Sequence, residues 1–248
     1  MNALDRLRNG ESVFGLFQTF PEAAITELAV WCGFDFIIVD CEHGVADEPS
    51  QLEVLRTVAG SDTFALVRIR GQDDSAVARY LDFGADGVMV PDVRTVDHAK
   101  KIAFAATRRW TGGLRGDRYG LSAVDHAKAH PLVIVLIEDP EGVLNAEAIL
   151  DVAGIDGVIV GTGDLSTNLG SPGDFASPAY LAAVDKVEAA ARARKKIIGS
   201  KPTADVPLSK ALERGHRLII LGRDTAFVRQ ALIDALSMAK SQVREARA

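Results

Sequence analysis

Residues 132–164 read LVIVLIEDPEGVLNAEAILDVAGIDGVIVGTGD, and the fold turns on this stretch. Six apolar residues, 132–137, run into Glu138-Asp139-Pro140. A helical pattern, EGVLNAEAILDVAG, follows and stops at Gly154. A second apolar run, DGVIVG from Asp156, breaks into Gly161-Thr162-Gly163-Asp164. Strands without polar alternation are buried on both faces, as in a parallel sheet covered by helices. Proline near the helix start and glycine at its stop delimit the segment between them.

The same grammar recurs in both directions. Strand patterns VFGLFQT (from Val13), FDFIIVD (from Phe34), FALVRI (from Phe64) and DGVMVP (from Asp86) precede it. KIIGS (from Lys196) and RLIILG (from Arg217) follow. Helical patterns fall between them: PEAAITELAVWCG, DDSAVARYLDFG, TVDHAKKIAFAATR, SPAYLAAVDKVEAAARARKK, VPLSKALERG and DTAFVRQALIDALSMAKSQVREA. Eight strand–helix units in 248 residues predict one (β/α)8 barrel, with residues 1–248 as a single domain. A doubly wound open sheet is the rival, but no GxGxxG turn follows the first strand. RRWTGGLRGDRYGLS, from Arg108 to Ser122, breaks the pattern and predicts a loop over the barrel mouth.

Composition narrows the function. Hydrophobic residues make up 48% and charged residues 25%, which excludes a disordered chain. The 28 Lys+Arg against 34 Asp+Glu, a formal charge of −6, argue against nucleic acid. The densest basic run, Arg192, Arg194, Lys195 and Lys196, closes an Ala-rich helix and compensates its dipole. Two cysteines, Cys32 and Cys41, suggest a reducing compartment. No run approaches the roughly 18 apolar residues of a membrane span. The expectation is a soluble cytoplasmic protein acting on small molecules.

A barrel of this kind carries its site at the C-terminal ends of its strands. Glu138 and Asp164 end neighbouring strands. Two converging carboxylates call for a shared proton or a hard divalent cation, although helix capping and a pairing of Glu138 with Arg68 or Lys201 explain them equally well. His43 lies beside Asp40 and Glu42, as a general base would. Arg68, inside the apolar LVRI, needs an anion, either a substrate carboxylate or an interior glutamate such as Glu42 or Glu138. Amides near Gly163 are open to a carboxylate. Lys201, at the end of strand seven, supplies an alternative Schiff-base lyase. A non-catalytic carboxylate-binding barrel is a third reading.

VDCEHG, LVRI, LIED and GTGDLS, in this order, resemble the HpcH/HpaI family of metal-dependent class II 2-oxo-acid aldolases, of the 4-hydroxy-2-oxo-heptanedioate aldolase type. The resemblance runs from FGLFQTFPEAAITELAVWCGFDFIIVDCEHG to LGRDT. It implies a TIM barrel of the phosphoenolpyruvate/pyruvate type, usually a homohexamer exchanging its last helix. It further implies that Glu138 and Asp164 ligate Mg²⁺, Mn²⁺ or Co²⁺. His43 becomes the base, supported by Asp40 and Asp82, and Arg68 stabilises the enolate. Amides around Gly163 and Asp164 hold the donor carboxylate, and Glu42 lies behind them, acting through water. The implied reaction reversibly cleaves a 4-hydroxy-2-oxo acid to an aldehyde and pyruvate or hydroxypyruvate. This chain has Leu136 where the family often has Gln in the donor pocket, Cys41 where Gly is common, and a shorter loop at LRGDRYG.

Overall fold

A computed structural model describes residues 1–45, 47–71, 73–108, 130–203 and 206–246. Eight parallel strands close into a barrel in chain order. They are β1 (Val13–Gln18), β2 (Phe36–Asp40), β3 (Phe64–Arg68), β4 (Gly87–Val90), β5 (Leu132–Ile137), β6 (Gly157–Val160), β7 (Ile197–Ser200) and β8 (Leu218–Arg223). Every expected strand is present, starting within two residues of its expected place. β8 pairs back on β1, with Val13 opposite Leu218 and Phe17 opposite Arg223, and the register shifts between Gly15 and Leu16.

The helices are α1 (Ala3–Arg8), α2 (Ala23–Trp31), α3 (Glu48–Val58), α4 (Asp74–Asp82), α5 (Val96–Arg108), α6 (Pro140–Leu150), α7 (Thr162–Asn168), α8 (Pro178–Ala193), α9 (Leu208–Glu213) and α10 (Asp224–Glu245). Periodicity did not single out α1, α3 or α7. In α3 the inward stripe is Gln51, Val54, Leu55 and Val58, so a buried polar residue dilutes the apolar period. Its start is set instead by Asp47, whose carboxylate accepts the Ser50 amide at 3.0 Å, with proline in the first turn.

Alternation along the strands sorts the side chains into two layers. Phe36, Ile38, Leu66, Met89, Ile134, Leu136 and Ile220 fill the barrel interior. Ile37, Val39, Val67, Val88, Val90, Val135 and Ile137 pack outward against the helices. Ala3 and Leu7 of α1 join the interior layer and plug the end where the strands begin. Aspartates knit that same end. Asp35, Asp86 and Asp156 stand just before β2, β4 and β6. Each carboxylate accepts a backbone amide from the preceding strand, from Phe14, Ala65 and Val133 at 2.8–2.9 Å. These bonds account for the repeated FDF, ADG and IDG junctions.

The opposite end stays open and polar, which is where chemistry has room. α10 meets the barrel at β1 and β8 and leaves Leu232, Ile233, Leu236, Met238 and Val243 exposed. Among the described residues, no helix is long and apolar enough to cross a membrane. The expected loop at 108–122 lies outside the described residues from 109 onward.

Candidate active site

The turn after β2 is shaped by its own residues. Asp40, at the last position of the strand, uses Oδ1 to accept the backbone amides of Glu42 and His43 at 3.2 and 3.1 Å. The Gly44 amide closes the turn on the Asp40 carbonyl at 3.1 Å. A Cβ on Gly44 would lie 2.0 Å from that carbonyl oxygen, so the final glycine of DCEHG is a steric requirement. Cys41 fits this turn without crowding it. It is buried, and burial pushes its thiol up to about 11.

Arg68 ends β3 directly opposite Asp40 in the sheet register. Its guanidinium is buried and forked onto the Asp40 carboxylate, with Nε donating to Oδ1 at 2.9 Å and Nη2 donating to Oδ2. Burial alone would raise the Asp40 carboxyl, but the Arg68 hydrogen bonds and charge outweigh it and hold the group below the usual aspartate range. Glu42 approaches the same guanidinium at 3.4 Å. The face of Phe17 lies 4.8 Å below the Arg68 guanidinium carbon.

Asp40 is therefore engaged by Arg68 and by backbone amides. The His43 imidazole lies at the exposed rim, with its Nε2 3.9 Å from the Glu42 carboxylate. Asp82 is the last residue of α4, which returns the chain to the start of β4. Within one chain this puts Asp82 at the plugged end, away from His43.

Glu138 follows β5 and is 7% exposed. Its Oε2 accepts the Asp92 amide at 3.1 Å, and its carbonyl accepts Nδ2 of Asn168 at 2.9 Å. Asp92 has φ 51°, a left-handed conformation that aspartate tolerates and that turns its N–H toward the carboxylate. A Cβ on Gly161 would lie 2.1 Å from Glu138 Oε1, so glycine there makes room for the side chain. Burial, then the charges of Asp164 and Glu42, push the Glu138 carboxyl up to about 7. Leu136, two residues earlier on the same face, lies inside the barrel below Glu138 and is 4% exposed.

Asp164 is exposed in the first turn of α7. The Leu165 amide is the first to bond back within that turn, to the Gly161 carbonyl at 2.9 Å. The amides of Gly163 and Asp164 precede it and are free of the helix ladder. Lys201 lies elsewhere. It lines a cavity of about 110 Å³ behind β6 and β7, with Ser200, Lys210 and His216.

The structure thus gathers Asp40, Glu42, His43 and Arg68 on one side of the mouth and Glu138 and Asp164 on the other. Among the described residues, no cluster of three or more His, Cys, Asp or Glu side chains is arranged as a complete metal cage. A buried carboxylate crowded by two further acidic groups is nevertheless the donor set of a hard divalent cation that leaves positions for water and substrate oxygens. Two contributors were not legible in the sequence. The Asp92 amide acts through backbone geometry, and Phe17 looked like an ordinary strand residue.

A protein-family model described as HpcH/HpaI aldolase/citrate lyase matches residues 13–231. The chain is 34% identical over 231 residues to the 4-hydroxy-2-oxovalerate aldolase of Rhodococcus jostii, covering 88% of each chain. It is 31% identical over 237 residues to the hydroxypyruvate/pyruvate aldolase of Sagittula stellata, covering 92% of this chain and 93% of that one. The crystal structure of an HpcH/HpaI aldolase from Desulfitobacterium hafniense superposes with a TM-score of 0.87 at 26% identity, covering 97% of both chains.

Proposed function

The chain belongs to the HpcH/HpaI aldolase/citrate lyase family, and from that premise we propose a metal-dependent class II aldolase that reversibly cleaves a 4-hydroxy-2-oxo acid. The products are an aldehyde and pyruvate or a pyruvate analogue such as hydroxypyruvate. The carrying observation is Glu138, a buried carboxylate raised to about 7 beside Asp164 and Glu42.

Glu138 and Asp164 hold the divalent cation, which when bound supplies Lewis-acid polarisation of the 2-oxo carbonyl. Mg²⁺, Mn²⁺ and Co²⁺ all suit two carboxylates completed by water and substrate oxygens. The Gly163 and Asp164 amides orient the substrate carboxylate. Arg68, fixed in place by Asp40, faces the oxygen on which negative charge builds as the C3–C4 bond breaks. His43 takes the proton of the C4 hydroxyl at the open rim, and Glu42 is placed to hold its ring. Asp40 then serves the base indirectly, by shaping the turn and holding Arg68. Leu136 gives the donor pocket an apolar floor.

The exposed apolar stripe of α10 supports a homo-oligomer, a hexamer by family resemblance, in which this helix is covered by another copy. Residues 1–248 act as one domain. Cys32 and Cys41 are both free, in keeping with a cytoplasmic location.

The test is retro-aldol cleavage of a generic 4-hydroxy-2-oxo acid, followed by pyruvate release. We expect activity to vanish in EDTA and return with Mg²⁺, Mn²⁺ or Co²⁺. Activity indifferent to chelation would overturn the proposal and turn attention to Lys201.

A further inference from the structure

Three polar side chains line up behind the barrel wall, on the outer face of the sheet. Ser200 ends β7, and alternation turns it outward with Ile198, whereas Gly199 between them faces the interior against Ile159. His216 lies just before β8, its amide held by the Ala211 carbonyl at 3.0 Å. Glu188 comes from the buried side of α8. His216 Nδ1 lies 2.7 Å from Ser200 Oγ, and its Nε2 lies 3.0 Å from Glu188 Oε1. Glu188 and His216 are 3% and 4% exposed, and Ser200 is half-buried.

The surroundings decide where each proton sits. Arg214 Nε and Arg192 Nη1 both donate to the other glutamate oxygen, Oε2, at 2.9 and 3.1 Å. Burial would raise the Glu188 carboxyl, but hydrogen bonds from His216 and Arg214 outweigh it and hold the group below the ordinary glutamate range. An ionised carboxylate only accepts, so the hydrogen between Glu188 and His216 belongs to Nε2. In the neutral imidazole Nδ1 is then the acceptor, and the Ser200 hydroxyl donates to it. The serine oxygen thus has its proton directed at a base that a buried carboxylate already orients.

Hydroxyl, imidazole and orienting carboxylate within hydrogen-bond reach are the parts of an activated nucleophile. Tying α8 to the start of β8 accounts for Glu188 and His216, but it does not require Ser200 to border a cavity. The cavity of about 110 Å³ behind β6 and β7 reaches both Ser200 and His216. Val160, Phe175, Tyr180 and Val184 give it an apolar wall, and Lys201 and Lys210 line it too. Such a wall suits a short hydrocarbon chain, and the lysines suit an oxygen on which negative charge builds. We propose that Ser200, His216 and Glu188 form a second catalytic centre, separate from the barrel mouth, that hydrolyses esters of short-chain carboxylic acids. Ser200 Oγ bonds to the acyl carbon as its proton passes to His216 Nδ1, and the carbonyl electrons move onto oxygen. The bond from carbon to the alcohol oxygen then breaks, and the alcohol leaves with that proton. Water repeats the sequence on the acyl-serine, which releases the acid and restores the Ser200 hydroxyl.

The experiment gives the full-length protein the nitrophenyl esters of acetate, butyrate and octanoate, with EDTA present to silence any metal-dependent reaction. A fluorophosphonate, which traps activated serines, is applied separately and its adduct is mapped by peptide mass spectrometry. We expect hydrolysis of the acetate and butyrate esters, slower turnover of octanoate, and an adduct on Ser200. Ser200→Ala should abolish the adduct and lower kcat/KM by about 1,000-fold or more, while keeping a cooperative thermal melt. His216→Gln should lower kcat/KM by about 100- to 10,000-fold, the contribution of a positioned base. No adduct on Ser200 of the parent protein would overturn the proposal, whatever the stability of the variants. Hydrolysis unchanged in Ser200→Ala would overturn it as well. A preference for octanoate would overturn the short-chain assignment. All of these outcomes leave the aldolase reading standing, because chelator is present throughout.

Discussion

Asp40 and Glu138 make an instructive pair. Both are carboxylates at the C-terminal ends of apolar strands, 1% and 7% exposed, and burial is the largest influence on each. Asp40 has a guanidinium forked onto it and ends below its ordinary value, whereas Glu138 has a single backbone amide and two acidic neighbours and ends near 7. One side of the mouth is thus electrostatically complete, and the other is short of positive charge. Removing charge should therefore damage the first and relax the second.

The largest expected effect comes from Glu138→Gln. If Glu138 holds the metal as proposed, its loss should lower kcat by about 1,000-fold or more. Yet the metal-free protein should become more stable at pH 8, by about 3–8 °C in Tm, because a strained buried charge is gone. The sign follows from linkage. A carboxyl raised in the folded state binds its proton more tightly than in the unfolded chain. Metal-free stability therefore falls as pH climbs from the ordinary glutamate range toward 7. Thermal melts of both proteins across pH 5–8, with chelator, check this. A lower Tm for the variant at pH 8 would erase the contrast.

Asp40→Asn should act in the opposite sense and cost about 3–5 kcal/mol, since Arg68 would be left buried without its anion. Asp40 is depressed in the folded state, so its contribution is present at neutral pH and is lost on acidification. Urea titration at pH 7 and pH 3 tests both points, because the contribution fades only below the ordinary aspartate range of about 4, and the gap between variant and parent should narrow at the lower pH.

A smaller effect sharpens the comparison on the Glu138 side alone. Gly161→Ala would place a Cβ against Glu138 Oε1 and displace the side chain. We expect metal affinity to fall about 10- to 100-fold, as for other changes that misorient a ligand. Titration calorimetry should show this with little change in Tm under chelator. Unchanged affinity would mean that Glu138 is not held in place by the space at Gly161.

What could be seen in the sequence follows the same division. Strands written in continuous Val, Ile and Leu could be placed to within two residues, because burial on both faces leaves no other reading. Glu138, Asp164, Arg68 and His43 were visible as polar residues breaking those runs. Helix α3 was harder to see because Gln51 interrupts its inward stripe. The partner of Arg68 was open between glutamates and a substrate until the parallel register set Asp40 opposite it. Asp82 sits in a helix–strand junction whose polarity relative to the mouth depends on barrel topology, so proximity in sequence gave no guide. The Asp92 amide depends on one backbone angle, which residue identity alone does not specify.

Asp224 carries a consequence for how the molecule is made. Its carboxylate gathers Thr19 and Phe20 into place after β1, more than 200 residues earlier in the chain. β8 must also pair with β1 before the ring is shut. A ribosome delivering this chain from its N-terminus therefore holds an open sheet until residues 218–224 emerge. The apolar interior and the reactive mouth are then completed in a single late event, governed by contacts of very long sequence separation.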